Sequence, residues 1–168
     1  ATGERLGSAS KQYPQARIGS HQVEQHAQDW WRVASICARS AISESGLSGK
    51  NVVAVAVSSQ GSSVVPVGDD GSVLRPAMTW QDTRSVEELK ALETALGAEQ
   101  WFLITGLRPA ASHSLPKILW LRGNEPELYE RTARFLLPHD YVVYRLPGRY
   151  ATAHSLAAGT LAHDVSKL

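Results

Sequence analysis

Cys37 and Met78 are the only sulfur-bearing side chains in this 168-residue chain. A single thiol forms no internal disulfide, so cross-linking adds nothing to stability, and a reduced, cytoplasmic compartment is the expectation. Charge of one sign is also lacking: 17 basic and 16 acidic side chains leave a net charge of +1. Nucleic-acid-binding domains cluster Lys and Arg on one surface, and no such clustering is present. No apolar run approaches the ~20 residues that span a bilayer. The polar start Ala1-Thr2-Gly3-Glu4-Arg5 is unlike a signal peptide. Neither nucleic acid nor a membrane is therefore an expected partner. Also missing are a P-loop, a Gly-x-Ser-x-Gly elbow, and metal-ligand spacing among the histidines.

What is present suits a globular domain. Hydrophobic residues make up 43% and charged residues 20%, enough apolar material for a core. No linker, repeat or low-complexity tract divides the chain, so residues 1–168 are expected to form one domain. Both ends, an opening turn at Thr2-Gly3-Glu4 and the closing Lys167-Leu168, read as cuts through a longer chain.

The periodicities outline alternating elements. Leu6 to Ser10 reads as a sheet-edge strand, and Val23 to Glu44 as a helix with Trp30, Val33, Ala34, Cys37 and Ala41 on its apolar stripe. Val52-Val53-Ala54-Val55-Ala56-Val57 is a short, unbroken, β-branched run, as in a strand covered on both faces. A hairpin is expected where Val64–Val67 and Ser72–Leu74 flank Gly68-Asp69-Asp70-Gly71, with Pro66 placing it at an edge. A helix after Trp80-Gln81 has Asp82 as a cap, Ser85 and Glu88 at capping-box spacing, and Gly97 as its stop. Shorter helices are expected over 100–104, 116–121, 126–132 (with Asn124 as a cap) and 141–146 (with Asp140 as a cap), a strand at 135–137, and loop and strand over 149–164. The pattern indicates an α/β fold, a mixed sheet flanked by helices.

Ligands of open α/β sheets bind beyond the carboxyl ends of the strands. The loop Ser58 to Ser63 lies there, with Ser59, Gln60, Ser62 and Ser63 as neutral donors and acceptors and Gly61 permitting close approach. Such groups suit a polyhydroxylated ligand, and they equally describe a polar turn. Trp80 offers an indole face to the C–H side of a sugar, with Asp82 beside it; a core Trp and a helix cap fit the same residues. His113, between Ser112 and Ser114, is either a ligand-facing or an ordinary loop histidine.

In order along the chain, five stretches carry a family resemblance: Val-Ala-Val-Ser-Ser-Gln-Gly-Ser (55–62), Gly-Asp-Asp-Gly-Ser-Val-Leu-Arg-Pro-Ala-Met-Thr-Trp-Gln-Asp-Thr-Arg (68–84), Ile-Thr-Gly-Leu-Arg-Pro (104–109), Leu-Pro-Lys-Ile-Leu-Trp-Leu (115–121) and Leu-Leu-Pro-His-Asp-Tyr-Val-Val-Tyr-Arg-Leu-Pro-Gly (136–148). Together they resemble the N-terminal domain of the FGGY carbohydrate kinases. The resemblance implies an actin-like, ribonuclease-H-like fold and phosphorylation of a sugar or polyol hydroxyl with ATP and Mg2+. It implies that Gln60, Gly61, Ser62, Trp80, Asp82, Ser112 and His113 line the sugar side of a cleft. Ser62 stands where xylulokinases of the family carry histidine and glycerol kinases carry glutamate, and Gly61 where glycerol kinases carry arginine, so these positions assign neither the xylulose nor the glycerol specificity. Thr152-Ala153-His154-Ser155 lacks the family's Asp, and Ala158 replaces a Ser.

The family's Asp-x-Gly-Thr phosphate hairpin, its catalytic aspartate and its C-terminal nucleotide domain are expected outside these residues. Residues 1–168 by themselves are then not expected to catalyse. The expected role is the sugar-side part of a kinase for a ketopentose or related polyol, with the nucleotide domain as partner and a homodimer left open. A non-catalytic sugar-binding module and a purely structural α/β domain are the alternatives.

Overall fold

The computed structural model describes residues 3–167, so the expected turn at Thr2 lies partly outside them. Its strands are β1 (Ala16–Ile18), β2 (Gln22–Gln25), β3 (Val65–Val67), β4 (Ala77–Met78) and β5 (Arg134–Leu136). Its helices are α1 (Ala27–Glu44), α2 (Val86–Leu96), α3 (Ala98–Thr105), α4 (Ser114–Asn124), α5 (Pro126–Arg131), α6 (Pro138–Arg145) and α7 (His154–Ala158). The strands pair antiparallel in the orders β1-β2-β4 and β3-β5, and a bridge between Val64 and Met78 joins the two groups.

Strand alternation divides the core into two clusters. Val65, Val67, Ala77 and Leu136 pack with Ala27 and Trp30 of α1 and Tyr141 of α6. Val64 and Met78 point the other way, onto Leu121 of α4, with Ile118, Leu128 and Phe135 around them. Helices therefore cover both faces of the strands, the layering expected of an α/β domain. Trp30 meets Tyr141 edge-to-face, with ring centroids 6.3 Å apart.

Several expectations change on folding. The helix read from Val23 starts at Ala27, because Val23–Gln25 are drawn into β2: Glu24 and Gln25 pair with Met78 and Ala77, and the Thr79 N–H donates to the Val23 carbonyl. Trp30 and Val33 are buried as expected, while Ala34 is exposed. Val52 to Val57 is not covered. It makes no ladder pair among the described residues, and Val53 is 98% and Val55 66% exposed. Leu6 to Ser10 likewise makes no ladder pair, and the Ser8 N–H donates to Glu44. All ladders among the described residues are therefore antiparallel.

The hairpin forms as read, with the Gly68 N–H on the Ser72 carbonyl and Val67 bridged to Val73. Pro66 is not at an edge, since β5 flanks it on one side and Leu74 on the other. Its carbonyl accepts the Leu74 N–H, and the β3–β5 pairing continues past it to Val67 and Arg134. Helix α2 begins only at Val86. The Ser85 hydroxyl makes no cap bond and lies buried without a partner among the described residues, so the capping box is absent. Glu125, not Asn124, precedes α5. Asp140 sits inside α6, where its carboxylate accepts the Leu137 N–H. The segment 149–164 contains α7 rather than a strand. No helix among the described residues is long and apolar enough to cross a membrane.

Gly7 lies against the end of α1, where a Cβ would fall 2.1 Å from the Ala41 carbonyl oxygen. Gly7→Ala must displace one backbone from the other, an overpacking expected to cost ~1–3 kcal/mol. Urea unfolding of the variant checks this; an unchanged midpoint would show that the 7–10 segment moves freely from α1.

Candidate functional site

Two segments meet at the site, the 60–63 loop that precedes β3 and the turn that follows β4; with no strand formed over 52–57, the loop does not lie beyond a strand's carboxyl end as expected. Ser63, fully buried, accepts the Trp80 N–H at 3.1 Å and donates to the Gly61 carbonyl at 3.4 Å. Trp80 is thereby tied to the 60–63 loop while its side chain remains 47% exposed. Ser62 has a positive φ of 54°, and its hydroxyl donates to the Gly159 carbonyl at 3.0 Å. The next carbonyl, Thr160, accepts the Leu115 N–H at the start of α4. One short segment, 159–160, thus bridges the 60–63 loop to the turn that carries Ser112 and His113. Gly61 is exposed, with nothing within 4 Å of where a Cβ would stand. Two cavities, of about 480 Å3 and about 490 Å3, lie elsewhere, the first lined by Ser114, Leu136 and His163, the second by Gln15, Glu24 and Gln25. None of the seven expected residues lines either.

Asp82 occupies a different position from the other expected residues. It is fully buried. Its oxygens accept the Val23 N–H at 2.7 Å, the Arg84 N–H at 3.1 Å and the Arg84 guanidinium at 2.7–3.1 Å. In this arrangement Asp82 presents no surface to a ligand. It joins β2 to the turn after β4. Glu24 takes a second bond from Arg84 at 2.6 Å and one from Arg75, which also pairs with Glu125. Trp120 of α4 stacks over the Arg84 guanidinium at 4.9 Å. Burial pulls the Arg84 proton affinity down, but the Asp82 and Glu24 carboxylates outweigh it and hold the group above its usual range.

The turn before α4 is organised by Lys117, a residue that sequence reasoning placed only within a motif. Its side chain is fully buried, and Nζ donates to the carbonyls of Ala111 and Ser112 at 2.7 Å and of His113 at 3.0 Å. Three acceptors match the three N–H bonds of an ammonium. The Ala110 N–H donates to His113 Nδ1 at 3.1 Å, which requires that nitrogen to be unprotonated and leaves the proton on Nε2. Burial, then the Lys117 charge, lowers the His113 pKa and favours this neutral form. Ser112 is half-buried.

Two consequences are measurable. Replacing Arg84 by Met strands Asp82, whose one cationic partner it is among the described residues, while Glu24 keeps Arg75; loss of one partner of a buried pair costs ~3–5 kcal/mol. A loss in urea unfolding below ~1 kcal/mol would place the pair among weak surface contacts. Lys117 is pushed from 10.5 to about 7, mainly by burial, with the Asp82 charge opposing and the Arg84 charge adding to the shift. The unfolded lysine keeps its proton to higher pH than the folded one, so stability rises between the folded and unfolded values and is lowest below both. Unfolding midpoints of the wild type should gain on those of Lys117→Met from about pH 7 to about pH 10. A parallel change in both proteins would assign the dependence to another group.

Comparison with known proteins agrees with this architecture. Residues 1–168 match the sequence profile of the FGGY family of carbohydrate kinases, N-terminal domain. Xylulose kinase of Bacillus subtilis is 33% identical over 165 residues, covering 98% of this chain and 33% of that protein. The chain therefore spans about a third of the length of that relative. Xylulose kinase from Rhodospirillum rubrum superposes with a TM-score of 0.89 at 20% identity, over 96% of this chain and 33% of that one. Gluconate kinase from Lactobacillus acidophilus does so with a TM-score of 0.86 at 22% identity, over 94% and 31%. The fold is α/β and actin-like, the ribonuclease-H-like class of these neighbours. With its whole length matched, the chain belongs to the FGGY family of carbohydrate kinases.

Proposed function

We propose that residues 1–168 form the sugar-side wall of an ATP-dependent kinase that phosphorylates a hydroxyl of a ketopentose or related sugar or polyol. The carrying observation is the half-exposed Trp80, tied through Ser63 to a loop of neutral hydrogen-bonding groups. An indole face covers the C–H side of a sugar, while hydroxyls and amides exchange hydrogen bonds with its hydroxyls. Gln60, Gly61 and Ser62 are assigned to direct contact, with Ser112 and His113 reaching the ligand from the turn before α4. Asp82 supports the wall from behind, since its oxygens are taken by Val23 and Arg84.

Family membership implies ATP and Mg2+. Among the described residues no group of three or more His, Cys, Asp or Glu is gathered to hold a cation. We assign nucleotide, metal and proton removal to the C-terminal nucleotide domain of the complete kinase. The part played by these residues is to orient a hydroxyl and shield it from water, and in phosphoryl transfer positioning carries much of the rate.

In the complete polypeptide, Trp80→Ala is expected to raise the KM for sugar at least about tenfold, the loss of ~1.4 kcal/mol of stacking and burial, with the KM for ATP little changed. Steady-state kinetics with D-xylulose, gluconate and glycerol check this. Unchanged sugar kinetics would remove Trp80 from the wall. Sugar binding without phosphoryl transfer would instead identify a sugar-binding, kinase-like module.

A further inference from the structure

Gln60 does not stand alone in its loop. Its Nε2 donates to Gln25 Oε1 at 2.8 Å. Gln25, 8% exposed in β2, also accepts the Trp30 indole N–H on that same oxygen at 3.0 Å. On its other side Gln25 Nε2 donates to Gln15 Oε1 at 3.2 Å, and Gln15 Nε2 donates to Gln81 Oε1 at 3.0 Å. Arg17 donates to that last oxygen at 3.3 Å.

The direction of this relay is dictated by its chemistry. An indole N–H and a guanidinium only donate. Trp30 therefore requires an oxygen from Gln25, and Arg17 requires an oxygen from Gln81. Starting from Arg17, the Gln81 oxygen faces the Gln15 nitrogen, and the Gln15 oxygen faces the Gln25 nitrogen. Starting from Trp30, the Gln25 oxygen is fixed at the same end. Both donor-only groups thus impose one orientation on Gln25, which can only accept from Gln60. Turning the Gln60 amide over would set two carbonyl oxygens against each other. Gln60 Oε1 is left without a hydrogen-bond partner among the described residues, on a half-exposed side chain.

We infer that Gln25 is a positioning residue that locks Gln60 with its carbonyl oxygen toward the ligand, so that the site selects a sugar hydroxyl acting as hydrogen-bond donor at that point. The inference rests on Gln60 belonging to the sugar wall. It goes further by stating which half of a hydroxyl's hydrogen-bonding capacity is read there. Hydroxyl groups both give and take, so an unlocked amide would accept either role. A locked oxygen rejects any substituent that cannot donate, because the oxygen then goes unpaired.

The experiment uses the complete polypeptide and calorimetric dissociation constants for D-xylulose and its single deoxy and deoxyfluoro analogues. Fluorine replaces hydroxyl at similar size and has no proton to give. At one sugar position, identified as the one whose deoxy penalty vanishes in Gln60→Ala, the fluoro analogue should bind as weakly as the deoxy analogue, about tenfold below the parent. Gln25→Leu frees the amide to turn, and the fluoro analogue should recover toward the parent. Gln25→Glu keeps an acceptor for both Trp30 and Gln60 and should keep the discrimination. A fluoro analogue that binds like D-xylulose at the Gln60 position overturns the inference, as does a discrimination unaltered in folded Gln25→Leu. A deoxy series with no position sensitive to Gln60→Ala removes Gln60 from the wall, and with it the reading on which the inference stands.

Discussion

Buried charge is the constraint from which the site is built. Asp82 and Glu24 lie in the interior and share the guanidinium of Arg84, with Arg75 closing the group toward Glu125. A carboxylate taken out of water tolerates little freedom in its partners, because any that leaves strands a charge. That intolerance fixes the chain around it. Val23 is held by its N–H, the turn after β4 by the Arg84 N–H, and α4 by Trp120 stacked on the guanidinium. Trp80 projects from that same turn, so its exposure is set by a network it does not touch.

The other wall segments are held by bonds between main chain and side chain. Lys117 gathers three consecutive carbonyls, so the 111–113 turn has its oxygens directed inward. Ser62 and α4 are both fastened to the 159–160 segment. Wall loops with few apolar contacts of their own therefore acquire defined shapes from polar anchors whose desolvation would be costly if unmade. Positional definition of this kind is what a site acting by orientation requires.

The sequence exposed some of this and concealed the rest for identifiable reasons. The α1 stripe at Trp30 and Val33, the hairpin at 68–71 and the strand at Phe135 and Leu136, shifted one residue from the expected 135–137, follow from periodicity and turn chemistry, and the Trp-Gln-Asp-Thr-Arg stretch carries the family resemblance. Val23 reads as helical from sequence because nothing local signals that its N–H is claimed by a carboxylate 59 residues away. Ser85 and Glu88 have capping-box spacing, yet burial of the Ser85 hydroxyl overrides it. Lys117 binds carbonyls, which every residue possesses, so its role leaves no mark in residue types. The glutamine relay joins positions 15, 25, 60 and 81, visible only once the strands have paired.

The bare run from Val52 to Val57 bears on how this polypeptide behaves in a test tube. Six consecutive β-branched or small apolar residues without charge or proline, with Val53 and Val55 open to solvent, are the composition of a cross-β segment. An uncovered stretch without ladder pairs also leaves its main-chain N–H and carbonyl groups available to another strand. Within residues 1–168 this stretch is therefore open to pairing with a further strand.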